Sequence, residues 1–219
     1  MIRGREGMES APLVFTPAID PGDQARADFY ALLSRLYAAA PDASLLAAIA
    51  SADELDIASQ NGPAADLART WHALIAASAV MVPDAVETEY QQMFIGVGAS
   101  EVSLHGSAYA KGPKGGPLLV QIRESLVQLK LVRQPGVAMF EDHLAAVFET
   151  MRVLITGLGQ PHAFAFDVQR EFFRCNIDPW VNACCNAISA KSLANYYVQV
   201  AQFTNAFMAV ERDSFAMDQ

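Results

Sequence analysis

The chain has 219 residues, of which 53% are hydrophobic and 18% charged, with a formal net charge of −9. That length buries a sizeable core without disulfide or metal, its apolar runs (Ala73 to Val82, Val153 to Leu158) are too short to span a bilayer, and its acidity disfavours nucleic acid and anionic lipid while suiting a cationic partner. Cys175, Cys184 and Cys185 form neither a disulfide framework nor a C-x-x-C zinc site, and no apolar stretch of secretory type follows MIRGREGMES, so a cytoplasmic location is expected.

In chain order, residues 1–22 carry Pro12, Pro17 and Pro21 without periodicity and read as a flexible arm, leaving 23–219 as one all-helical domain. Asp23 opens a helix in which Phe29, Leu32, Leu33, Leu36 and Tyr37 form one apolar stripe of 3.6-residue period. Pro41 stops it, and Asp42 caps a short helix through Leu45 and Leu46. After Asn61-Gly62-Pro63 a longer helix runs from about Ala64 to Met81. Pro83-Asp84 starts the next, striped by Val86, Tyr90, Met93 and Phe94 and ended by Gly96 and Gly98.

From Gly96 to Pro117 the sequence is irregular and rich in glycine, a central loop of a length that is uncommon inside a compact domain unless it is functional or mobile. Periodicity resumes at Leu119, Ile122, Leu126 and Leu129, breaks at Gln134-Pro135-Gly136, and returns at Leu144, Val147, Phe148, Met151, Leu154 and Ile155. Further helices lead to Asn176, run from Pro179 to about Ser189, and begin near Leu193 with Tyr196, Val200, Phe203, Phe207 and Val210 in step. No run alternates as a strand would. The expected architecture is an all-α, single-domain multi-helix bundle with a long glycine-rich central loop.

Enzyme signatures are missing from this pattern. No glutamate is followed by histidine three positions on, and His72, His105, His143 and His162 are scattered, so no metal ligand set is legible. The Gly112-Pro113-Lys114-Gly115-Gly116 cluster lacks the ending of a phosphate loop and follows no strand. Ser103 and Ser107 lie near His105, but nothing in the sequence supplies the orienting third group of a nucleophilic site. Neither catalytic residues nor a cofactor are expected.

Two segments stand out together. Glu89-Tyr90-Gln91-Gln92-Met93-Phe94 closes one helix, and Phe140-Glu141-Asp142-His143-Leu144 opens another. In these the chain resembles the TorD/DmsD family, cytoplasmic chaperones of molybdenum-cofactor enzymes exported by the twin-arginine pathway, whose marks are aromatic-x-x-Leu-Phe and, further along, E-P-x-D-H. Tyr90, Met93 and Phe94 match the first, with Met for Leu, and Asp142 and His143 match the second. The order of Phe29 to Tyr37, Pro41-Asp42, Ser107-x-Tyr109 and Pro179-Trp180 fits as well, so the resemblance covers roughly residues 23 to 212. Met139-Phe140 stands where the family has Glu-Pro; the missing glutamate's role would fall to Glu141.

The resemblance implies a non-enzymatic chaperone that holds the precursor of an exported molybdenum-cofactor reductase or dehydrogenase in the cytosol until the cofactor is inserted. Its signal peptide presents two guanidinium groups beside an apolar stretch, which calls for carboxylates and a greasy groove. Asp142, Glu141 and Glu89 are the candidate carboxylates; Tyr90, Phe94, Tyr109 and Trp71 are the candidate walls, with His143 beside them. A local alternative stands for the second segment: Asp142 caps its helix and His143 packs. A helical interaction or regulatory module with an unrelated partner is the other reading, and a homodimer by helix exchange is compatible with the long central segment.

Overall fold

In a computed structural model, residues 19–56, 61–96, 100–112, 116–134, 136, 138–158 and 162–217 are described. Most of the expected arm (1–18) lies outside them, as do residues 97–99, 113–115, 135 and 159–161, which hold Gly98, the middle of the Gly112–Gly116 cluster, Pro135 and Pro161.

The helices are those the periodicity calls for, with shifted ends: α1 (Pro21–Ala38), α2 (Ala43–Ala50), α3 (Pro63–Val80), α4 (Pro83–Tyr90), α5 (Leu118–Gln128), α6 (Leu144–Thr156), α7 (Phe166–Asn176), α8 (Val181–Ser189) and α9 (Tyr196–Met217). Among the described residues there is no strand; only the isolated bridges His105–His143 and Lys111–Pro117 pair extended backbone. No described helix is long and apolar enough to cross a membrane.

Local chemistry explains most boundaries. α1 starts at Pro21, not Asp23, because Asp20 accepts the Gly22 N–H and Pro21 pre-sets the first turn. Asp42 caps α2 through the Leu45 N–H at 2.8 Å, as its position predicts. α4 runs on through a widened π-turn, Gln91–Ile95, closed by Gly96 at φ 62°, and that turn buries both Met93 and Phe94. α6 ends at Gly157 in the left-handed conformation (φ 66°), where the chain folds back so tightly that an added Cβ would lie 2.5 Å from the Ala163 nitrogen.

α9 is the central post. It packs on α3 and α8, while α1 lies along α6 and α2 along α3. Phe203 and Phe207 of α9 meet Phe29 edge-on at 5.2 and 5.5 Å, and Trp71 closes on Phe29 and Phe203. A second aromatic group joins Tyr90, Phe94 and Tyr197. Edge-to-face pairs of this kind each add about 0.5–1.5 kcal/mol beyond the apolar area they bury.

Two stripes differ from expectation. α9 begins at Tyr196, and Leu193 is exposed outside it. In α5 only Leu118 and Ile122 are buried; Leu119, Leu126 and, just past the helix, Leu129 are half-covered. Leu126 thereby leaves α5 partly open on the side facing α1 and α6.

Candidate functional site

That open side forms a cleft of about 320 Å³. One wall is α6, with Ala145, Ala146, Glu149 and Val153; another is α1, with Ser34 and Ala38. Leu126 of α5 and the irregular chain on either side of Gly136, including Leu131, Val132, Arg133, Met139 and Glu141, complete it. Small residues on α1 and α6 bring the two helices close, and the Ser34 hydroxyl donates to the Ala145 carbonyl at 2.9 Å. The result is a floor of alanines, aliphatic sides and carboxylates at the rim. Glu141 is mostly covered and sits between Arg123 (3.0 Å) and Arg133 (3.9 Å), while Glu149 is half-exposed beside Arg152.

Next to Glu141 the start of α6 is pinned to the central segment. The Gly106 N–H donates to the Asp142 carbonyl and the Leu144 N–H to the Leu104 carbonyl, both at 2.8 Å. Asp142 is buried, with one carboxylate oxygen 3.0 Å from His105 Nδ1 and the other accepting the Ser107 N–H at 3.1 Å. Gly106 between them is pressed onto the Trp180 ring, where a Cβ would come within 2.7 Å of it. The expected local roles are thus exchanged: His143, not Asp142, caps α6, its Nδ1 accepting the Ala145 N–H at 3.2 Å. The reason is the bridge to His105, which turns the Asp142 side chain away from the helix axis and toward the central segment.

The other expected residues fall into the core. Tyr90 donates to the Tyr37 carbonyl and, with Phe94, packs on Tyr197. Trp71 donates to the Asp53 carbonyl. Tyr109 is half-buried, stacked on Trp180, and donates to the Ser103 carbonyl. Glu89 is buried and accepts backbone N–H groups from Asn195, Tyr196 and Tyr197. Of the expected peptide-binding residues, Glu141 lines the cleft; Tyr90, Phe94, Trp71, Tyr109, Asp142 and His143 do not. Burial decides this, since a core aromatic and a groove aromatic occupy the same helical stripe. Sequence reading passed over Glu149, Val153, Leu131, Arg123 and Arg133 as wall and rim groups; α1, α5 and α6 bring them together across long stretches of chain.

Titration at this site is one-sided. Burial, helped by nearby His105, lowers the His143 imidazole to about 4. Burial would raise Asp142, but the hydrogen bonds from His105 and Ser107 outweigh it and hold the carboxyl at about 2. Both folded values lie below the ordinary ones of 6.5 and 3.8, so the folded chain binds fewer protons than the unfolded chain. Stability is then lost as pH falls, first between about 6.5 and 4 as a proton on His143 Nδ1 breaks the α6 cap, then between about 3.8 and 2 at Asp142. The first window is expected to cost on the order of 2 kcal/mol. Urea midpoints of the unsubstituted chain and of His143→Asn, which caps without titrating, measure it: the drop between pH 7 and 4.5 should shrink in the variant.

Among the described residues no three histidine, cysteine, aspartate or glutamate side chains converge as metal ligands would. No curated protein matches the chain. A family model described as nitrate reductase delta subunit matches residues 60–186, more than half the chain, from α3 through most of α8.

Proposed function

The chain belongs to the nitrate reductase delta subunit family, molybdoenzyme maturation chaperones, and we propose that it is a non-enzymatic cytosolic chaperone for the precursor of an exported molybdenum-cofactor reductase or dehydrogenase. It acts by occupancy, covering the precursor's twin-arginine leader until cofactor insertion is complete. The observation that carries this reading is the open cleft between α1, α5 and α6, aliphatic inside, with the Glu141 and Glu149 carboxylates at a rim where Arg123, Arg133 and Arg152 pair them. An apolar helix or extended segment of the leader fills the trough, and its guanidinium groups meet the rim carboxylates through charge-assisted hydrogen bonds. The net charge of −9 favours approach of such a cationic segment.

Within this reading Asp142, His143 and Tyr109 set the position of Glu141 from behind, and Tyr90, Phe94 and Trp71 hold the helices that make the walls. Charge reversal at Asp142 would unseat the central segment, so Glu141 is the cleaner place to test binding. Fluorescence anisotropy with a labelled leader peptide bearing Arg-Arg before an apolar stretch should give saturable binding. Glu141→Arg, or a Gln-Gln peptide, should weaken it by roughly tenfold, about 1.4 kcal/mol. Equal affinity for both peptides and for the variant would discard the cleft as the leader site.

A further inference from the structure

The rim carboxylate is not free. Glu141 Oε2 accepts the Arg123 Nε–H at 3.0 Å, and Arg133 Nε stands 3.9 Å from Oε1. Arg133 is anchored a second time, its Nη1 donating to the Met139 carbonyl at 3.0 Å, which ties the chain after α5 to the chain before α6 across the mouth of the cleft. Two guanidinium groups on one carboxylate are also what a twin-arginine leader would place there. Both arginines are partly exposed, and Glu141 keeps only 15% of its side-chain surface open. A cationic ligand cannot reach that carboxylate without displacing one of them.

We propose that Arg123 and Arg133 are built-in competitors, stand-ins for the two guanidinium groups of the client, that set the affinity and the release of the leader at the Glu141 rim. This rests on the cleft being the leader site. Exchange of one arginine–carboxylate pair for another returns only part of the energy, because similar hydrogen bonds are made and broken, so the leader's arginines are worth roughly tenfold where an unoccupied carboxylate would give about fiftyfold. The apolar segment in the trough supplies the rest of the affinity. Displacing Arg133 also unfastens its link to Met139, so an occupied cleft is wider than an empty one.

The experiment compares Arg123→Gln, Arg133→Gln and the double variant in the same anisotropy titration, with unfolding midpoints recorded alongside. The double variant is expected to bind the Arg-Arg leader about fivefold tighter than the unsubstituted chain, and to show little gain for a Gln-Gln leader. Arg123→Gln, on the outer surface of α5, carries the test by itself if Arg133→Gln disturbs the fold. Unchanged or weaker binding by folded variants, against a normal titration of the unsubstituted chain, overturns the competitor role and leaves the cleft assignment standing. Absence of leader binding by every form overturns the cleft assignment and this inference with it.

Discussion

Replacing Arg26 by alanine should lower the unfolding free energy by about 3–5 kcal/mol, because it strands a buried carboxylate. The reason lies on α9, where Glu211 is fully buried. Arg26 of α1 meets it with a two-pronged pair, Nε to Oε1 at 2.7 Å and Nη2 to Oε2 at 3.0 Å. The Tyr30 hydroxyl donates to Oε2 at 2.8 Å, and Gln169 of α7 accepts from Arg26 Nη1 at 3.1 Å. Phe166 and Phe215 lie under the guanidinium at 5.5 and 5.2 Å. Removing the arginine leaves a carboxylate in the core with only a phenol to answer it, and loosens three helices together.

Urea denaturation at neutral pH measures the loss. A companion variant tests the cause: Arg26→Leu with Glu211→Leu removes both charges, and it should be more stable than Arg26→Ala. If the pair acted merely as packing, the double variant would be the worse of the two. A single-variant loss under about 1 kcal/mol would mean that water reaches Glu211 on opening, and would discard the buried-charge account.

How much of this was legible beforehand depends on how far apart the interacting residues lie. The stripes of α4 and α6, and the cap at Asp42, are short-range features that repeat within a helical turn, and the folded chain uses them as read. Glu89 shows the opposite case. Read along its own helix it is a carboxylate near an aromatic motif, hence a candidate for the client's charge. In the fold its partners are amides of Asn195, Tyr196 and Tyr197. Nothing local to Glu89 reports that connection.

Asp142 failed as a cap for the same reason. Its partner His105 sits in a segment with no periodicity, and the backbone bridge of His105 to His143 brings that imidazole to the carboxylate. The cleft is harder still to read. Its mouth is built from the irregular chain between α5 and α6, where neither 3.6-residue nor alternating patterning marks which side chains face one another. Leu119, Leu126 and Leu129 keep the helical steps of any core stripe, and only the fold shows that they end half-covered.

The misread Glu89 gives the second large expected effect. Its two carboxylate oxygens accept the N–H groups of Asn195 at 3.0 Å, Tyr196 at 2.9 Å and Tyr197 at 2.8 Å, at the N-terminus of a 22-residue helix. A carboxylate there answers backbone donors that have no partner within the helix and faces the positive end of its dipole. Glu89→Ala should therefore cost about 3 kcal/mol, more than an exposed cap, because the orphaned Tyr196 and Tyr197 amides are covered by protein and not by water. Glu89→Gln keeps an acceptor but turns a donor toward those same amides, and should cost roughly half as much or more.

The site of the damage separates this from general destabilisation. Amide exchange at Tyr196 and Tyr197 should quicken by on the order of a hundredfold under conditions where most of α6 keeps its protection. Tyr197 packs its ring on Tyr90, Phe94 and Tyr196, so the first turn of α9 and the π-turn after α4 should loosen as one unit. Uniform loss of protection along the whole chain would instead assign Glu89 no special hold on α9.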